Sequence, residues 1–315
     1  MPAAGYPLHR LRVSGIDRQN PLRAARAVLL AARASGRARR LLRRIGADAV
    51  LGGGGYVAGP VGLAARTLGL PLVLTEADSH LGVTNRLLAP FASRVCLAFP
   101  LPGRTGSKWL LTGRPVPAGT GSADREAARA RLGIPAGPCL LVFGGSLGAR
   151  RLNEAAVEAF GGAAPCTVLH ASGRRDHDSL RARLDELGAP EHYRLFPYVE
   201  PFADALAAAD LAAARAGGSV FELAAAGLPS ILVPYPHATG DHQEANARFM
   251  EEAGAAIVIP DAELDGPRLA REVGGLLGAP QRMAEMANAA EAVARPDAAE
   301  RVADELLRLV ANGGH

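Results

Sequence analysis

Residues 139–153 read Cys139-Leu-Leu-Val-Phe-Gly-Gly-Ser-Leu-Gly-Ala-Arg-Arg-Leu-Asn153. Five apolar residues in a row predict a strand buried on both faces. Gly144, Gly145, Ser146, Leu147 and Gly148 predict a turn, and the residues after it open a helix. Strand, glycine turn and helix are the parts of a βαβ unit, and so of a parallel sheet. Glycine lets a backbone approach an anion closely, and a helix start offers unpaired N–H groups at the positive end of its dipole. Ser146 adds a hydroxyl donor. The stretch suits a diphosphate; a tight turn without a ligand is the competing reading.

The same pattern recurs in both directions from this stretch. Short apolar runs predict strands at Ala49–Leu51, Leu72–Leu74, Arg94–Leu97, Cys139–Phe143, Thr167–Leu169, Tyr193–Phe196, Leu211–Ala214 and Ser230–Val233, with Ala/Leu/Arg-rich helical stretches between most of them. Ligands of such sheets sit beyond the carboxyl ends of the strands. Residues 111–122, LTGRPVPAGTGS, lack periodicity and predict an interdomain linker. Ser122 is a candidate N-cap for a helix at Ala123–Leu132. A chain of 315 residues fits two α/β domains. The expected divisions are an N-terminal domain at 1–113, a second domain at 114–292, and a last helical segment, 293–315, that returns to the first domain.

Aromatic residues make up only 4% of the chain, which excludes a stacked-ring carbohydrate module or a single-strand nucleic-acid platform. Cys96, Cys139 and Cys166 are widely spaced and sit in or beside apolar runs, so they read as buried thiols. No signal sequence and no apolar run of transmembrane length is present, so a cytoplasmic protein is expected. The net charge of +4 is unevenly spread: Asp17–Gly46 holds nine arginines and one aspartate, a net +8, and the rest of the chain carries −4. A basic helix with leucines between its arginines suits an anionic membrane surface. A solvated helix face and nucleic-acid binding are the alternatives.

Three further segments carry chemistry. Leu51-Gly-Gly-Gly-Gly-Tyr-Val-Ala-Gly59 ends a strand in four glycines, which are costly to order and suggest close contact with a ligand or a facing domain. Arg215-Ala-Gly-Gly-Ser-Val-Phe-Glu222 reads as strand end, turn and helix, with Glu222 a candidate to accept from a ribose diol. Pro234–Asn246 is a polar loop after a strand. Its His237, Asp241 and His242 match no common metal spacing, whereas Gln243 and Asn246 suit hydroxyl recognition.

Together these segments resemble the MurG-type N-acetylglucosaminyltransferases. The matching stretches are DAVLGGGGYVAGP (48–60), TNRLLAP (84–90), TGRPVP (112–117), GGSLGARRLN (144–153), ARAGGSVFELAAAGLPSILVPYPHATGDHQEANA (214–247), EEAGAA (251–256) and RPDAAERVADEL (295–306), in the family's order. The resemblance implies an α/β protein of two Rossmann-like domains, the GT-B architecture, with the N-terminal domain incomplete. It implies inverting, metal-independent transfer of N-acetylglucosamine from UDP-N-acetylglucosamine to lipid I, with no cofactor, at the cytoplasmic face of the membrane. Gly145 and Ser146 fall at the donor diphosphate, and Val199 at a backbone contact to uracil. Gly218, Ser219 and Glu222 fall in the donor turn and helix, and His242 and Gln243 at a glutamine pair facing the sugar.

The chain departs from the family pattern in four places. The turn from Arg215 to Glu222 is one residue shorter. Glu76-Ala77-Asp78 replaces Glu-Gln-Asn, which puts Asp78 at a donor-contact amide. Pro117 replaces an arginine, and Arg114 takes the neighbouring asparagine position. The chain also begins about fifty residues into the pattern, past a GGTGGH-like loop that carries the family's proposed base. Met1 is therefore expected to lie downstream of the natural start, and Asp78 and His80 are the candidates to replace that base. The competing readings are another lipid acceptor, such as a diacylglycerol, a UDP-sugar-binding remnant without catalysis, and a nicotinamide oxidoreductase, against which no GxGxxG opens the first domain.

Overall fold

The computed structural model describes residues 5–13, 21–144, 149–238 and 242–313. They fall into two compact units, one ending at Arg114 and completed by the chain from Asp297 on, the other running from Pro115 to Pro296.

The first unit is built on four parallel strands in the order β1-β2-β3-β4: Val50–Gly52, Leu72–Glu76, Arg94–Leu97 and Trp109–Leu111. Strand side chains alternate between faces, so β2 and β3 each supply two helix layers. Leu72, Leu74, Val95 and Leu97 face a cluster formed with Ala38 and Leu42 of α1 (Pro21–Ile45), Ala64 and Ala65 of α2 (Gly55–Leu68), and Leu88 of α3 (Val83–Leu88). On the other face, Val73 and Cys96 meet Val302 and Leu309 of the last helix, α12 (Ala298–Ala311). Buried Glu305 of α12 pairs with Arg94 of β3 at 3.3 Å.

The second unit carries six parallel strands in the order β10-β9-β8-β5-β6-β7. They are β5 (Cys139–Phe143), β6 (Thr167–Ala171), β7 (Tyr193–Phe196), β8 (Leu211–Ala214), β9 (Ser230–Leu232) and β10 (Ala256–Val258). The chain runs outward from β5 to β7, then returns to lay β8, β9 and β10 on the opposite side. The switch point therefore lies between β5 and β8, where ligands of such sheets bind. The helices are α4 (Arg125–Leu132), α5 (Arg150–Phe160), α6 (Arg174–Glu186), α7 (Phe202–Ala208), α8 (Val220–Ala225), α9 (His242–Glu252), α10 (Gly266–Leu277) and α11 (Pro280–Val293).

Three sequence expectations need correction. Leu111 ends strand β4 rather than opening a linker, and β10 adds a second unexpected strand. Both are three-residue edge strands, too short to show a hydrophobic period. The N-cap of α4 is Asp124, whose carboxylate accepts from the Ala127 amide at 3.0 Å, and not Ser122. All three cysteines are free and buried. Burial pushes the thiols of Cys96 and Cys166 up to about 11 and that of Cys139 to about 12, which makes them poor nucleophiles.

Candidate active site

The turn after β8 lies at the switch point. Ala216 is fully buried, while Gly217, Gly218 and Ser219 are half-buried. Ser219 stands at the N-cap of α8 but makes no capping hydrogen bond with its hydroxyl. Glu222 follows in the first turn of α8, half-buried. Beneath the turn, Asn246 of α9 donates its Nδ2 to the Ala216 carbonyl at 3.0 Å and the Gly217 carbonyl at 3.4 Å. Asn246 is 2% exposed and its Oδ1 has no partner. An orphaned buried acceptor costs about 1–3 kcal/mol, so this carboxamide is held at a loss.

Arg215 braces the same turn from the strand side. Its Nη1 donates to the Val233 and Pro234 carbonyls at 3.2 and 3.4 Å and pairs with Asp261 at 2.5 Å. Arg215 is 4% exposed, and its Nε is a second orphan. It lines a cleft of about 690 Å³ with Arg150, Arg175, Tyr235, His237 and Asp261, at the carboxyl ends of β8, β9 and β10. The loop after β9 is tied down by Gln243, whose Oε1 accepts from the Tyr235 amide at 2.9 Å. Its Nε2 is therefore the donor it can offer a ligand.

A buried polar chain anchors α5, the helix that follows the glycine turn after β5. Asn153 donates its Nδ2 to the Ser172 carbonyl and the Asp176 carboxylate, at 3.0 and 3.1 Å. Its Oδ1 then accepts from His170 Nε2 at 3.0 Å, and His170 Nδ1 accepts from the Tyr193 hydroxyl at 2.8 Å. Complete burial holds His170 neutral, with a pKa lowered to about 3. Gly144 cannot be replaced, because a Cβ there would lie 2.0 Å from that of Ala149, the N-cap of α5.

In the first unit the carboxyl ends of β1 and β2 carry a related arrangement. Gly54 and Gly55 open α2 at φ 79° and 70°, which a side chain would strain. Glu76, 6% exposed, accepts from Gly82 N at 2.8 Å, Asn85 Nδ2 at 3.0 Å and Asp78 N at 3.3 Å. Asn85 also donates to the Thr75 carbonyl at 2.9 Å, and its Oδ1 is the third orphaned buried side-chain atom among the described residues.

The structure thus brings Gly218, Ser219, Glu222 and Gln243 to the carboxyl edge of the second sheet, with His242 at the start of α9 and Val199, 9% exposed, between β7 and α7. Gly145, Ser146 and Asp241 lie outside the described residues. Asp78 and His80 belong to the first unit, half-buried and exposed respectively, and Arg114 is that unit's last residue before the division, half-buried. Asn246 lies beside the same turn and donates its Nδ2 to the turn carbonyls, a partnership the sequence did not reveal. Sequence reasoning missed the brace of Arg215 and Asp261, whose partners are 46 residues apart and share no local motif.

In the second unit a glycine turn at the switch point of a parallel sheet, with a carboxylate and amides beside it, is the kind of place where such folds bind nucleotides. Comparison narrows this. Residues 139–302 match the glycosyltransferase family 28 C-terminal domain, and residues 1–97 match the family 28 N-terminal domain. A relative from Rubrobacter xylanophilus, named UDP-N-acetylglucosamine--N-acetylmuramyl-(pentapeptide) pyrophosphoryl-undecaprenol N-acetylglucosamine transferase, is 43% identical over 98% of this chain and 90% of its own length. One of the same name from Moorella thermoacetica is 40% identical over 99% and 88%. The crystal structure of Acinetobacter baumannii MurG matches with a TM-score of 0.74 and 34% identity, over 90% of this chain and 79% of that one. The chain belongs to glycosyltransferase family 28, among its MurG-type enzymes, and has the GT-B fold.

Proposed function

We propose that this chain transfers N-acetylglucosamine from UDP-N-acetylglucosamine to lipid I, forming lipid II for peptidoglycan. The observation that carries the reading is the open turn Gly217–Ser219 beside Glu222 and the start of α9, in a chain so similar to relatives of that printed activity. In this reading the uracil meets the backbone at Val199, Glu222 accepts from the ribose diol, and His242 and Gln243 face the sugar. The backbone amides of the turn, with Gly145 and Ser146, stabilise the charge growing on the departing UDP. No metal or cofactor is needed for that step, because amide donors aimed at a developing charge are effective in a site shielded from water. Arg114 and Asp78 complete the donor contacts. Asp78 or His80 takes the proton of the acceptor hydroxyl. The test is to mix the purified chain with UDP-N-acetylglucosamine and lipid I and assay for lipid II. Product is expected, with turnover lowered in Asp78→Asn or His80→Ala. Donor binding without transfer to any lipid acceptor would reduce the protein to a sugar-nucleotide binder.

The acceptor is lipid-linked, and α1 supports membrane docking. Ala27, Ala34, Ala38 and Leu42 form its buried stripe, while Arg26, Arg33, Arg37, Arg39, Arg40, Arg43 and Arg44 are exposed, with Leu29 and Ile45. No helix among the described residues is long and apolar enough to cross a membrane. The chain in this reading lies on the anionic cytoplasmic face as a peripheral protein. Binding to anionic vesicles should weaken severalfold between 0.05 and 0.5 M salt, on the order expected for screened charges. Salt-independent binding, measured by co-sedimentation, would refute the docking.

A further inference from the structure

Asn246 sits behind the turn, and its geometry sets which way the turn's amides point. In a trans peptide the carbonyl and the following N–H are antiparallel. Asn246 Nδ2 holds the carbonyls of Ala216 and Gly217 toward the buried side. The N–H groups of Gly217 and Gly218 must then point the other way, toward the half-exposed face. Neither donates a backbone hydrogen bond among the described residues. A Cβ built on Gly217 would meet nothing within 4 Å, so the turn stands beside open space. An apolar side chain of the same shape would fill the position of Asn246 without leaving Oδ1 orphaned. What the carboxamide adds is the pair of carbonyl contacts.

We propose that Asn246 is a positioning residue that aims the Gly217 and Gly218 amides at the donor's diphosphate. The inference rests on the reading of this turn as a sugar-nucleotide site and adds the device that preorganises it. It also gives α9 two tasks: its first turn faces the sugar through His242 and Gln243, and one turn further on it shapes the phosphate cradle. Preorganised amides act on the leaving group at no reorganisation cost during the reaction.

The test compares UDP with uridine as ligands of wild type and Asn246→Ala by calorimetry. The Gly217 carbonyl keeps its bond from the Val220 amide at 3.2 Å, but the Ala216 carbonyl is freed and the Gly217 amide behind it can turn away, so UDP affinity should fall severalfold, about fivefold or more, while uridine affinity stays within about twofold. The KM for UDP-N-acetylglucosamine should rise with UDP's dissociation constant. Asn246→Asp keeps the shape but lacks the donor, and should behave like Asn246→Ala. A merely structural role would weaken both ligands by the same factor, and that result, or no change in either, overturns the inference. Hydrogen exchange on wild type gives a second reading that needs no variant. UDP should slow exchange at Gly217 and Gly218 and uridine should not; amides indifferent to UDP overturn the inference as well. A wild-type chain that binds no UDP would sink the proposed function and this inference together, whereas full UDP affinity in Asn246→Ala sinks the inference alone.

Discussion

Each unit places an asparagine under the carboxyl edge of its sheet, and the two are used differently. Asn85 and Asn246 both sit near the start of a helix, both donate Nδ2 to carbonyls at a strand end, and both leave Oδ1 buried and unpaired. In the second unit the carbonyls belong to the glycine turn itself, so the brace acts on the turn directly. In the first unit the acceptors are the Thr75 carbonyl and the Glu76 carboxylate, both of β2. The neighbouring glycines join β1, where Gly52 pairs with Leu74 of β2, to α2; among the described residues the side-chain contact to them from β2 is that of Thr75, whose Oγ1 lies 3.5 Å from the Gly52 carbonyl, a weak one. The difference teaches where rigidity has been invested. The second unit's turn is held from behind by the Asn246 amide and from the strand side by the Arg215–Asp261 pair, while the first unit spends its buried carboxylate on the loop from Ala77 to Gly82 and not on its glycine turn.

The comparison breaks most readily at Glu76. Glu76→Ala strips the acceptor from two backbone amides and from Asn85. Charge-assisted hydrogen bonds of this kind, lost from a buried site, should cost about 3 kcal/mol or more. The single tryptophan, Trp109, lies in β4, so urea unfolding followed by its fluorescence reports on the first unit. Glu76→Gln keeps an acceptor and should cost roughly half as much. If Glu76→Ala leaves the midpoint unchanged, the carboxylate is not the staple of that loop and the contrast between the units fails.

How much of this was legible in the sequence follows from range. The strand-turn-helix steps at Cys139–Asn153 and Leu211–Glu222 are written in adjacent residues, so period and glycine position reveal them. Strands β4 and β10 stayed hidden because a three-residue edge strand has no period, and, unlike β1, neither runs into a glycine run that marks its end. Asn246 was legible as a polar residue near a binding loop, but its direction was not. Whether a carboxamide faces a ligand or a carbonyl 30 residues away is set by how α9 packs beside α8 and β10. Arg215, Asp261 and the pair of His170 with Asn153 are of the same kind: ordinary residue types whose meaning comes from partners distant in the chain.

The second unit's buried chain of Asn153, His170 and Tyr193 gives the smaller and sharper prediction. His170 is buried between Tyr193 and Asn153 with its pKa lowered to about 3, by burial first and by the nearby His177 second. A histidine whose folded pKa is depressed binds its proton more readily in the unfolded state. It therefore draws stability down as pH falls below the unfolded value of about 6.5, and goes on doing so until the folded pKa is reached. Between pH 7.5 and 5.5 that amounts to about 1.4 kcal/mol, and the slope below stays near 1.4 kcal/mol per pH unit. His170→Gln lacks the titrating ring. Its stability at pH 7.5 should be lower, because one of the two ring hydrogen bonds is lost, but its further loss on going to pH 5.5 should be smaller than wild type's by that amount. Hydrogen exchange over β6 and α5 at the two pH values, corrected for intrinsic rates, isolates the second unit from the first. An equal acid loss in both proteins would mean that the ring is reached by protons without unfolding, and that α5 is held less firmly than its hydrogen bonds to His170 imply.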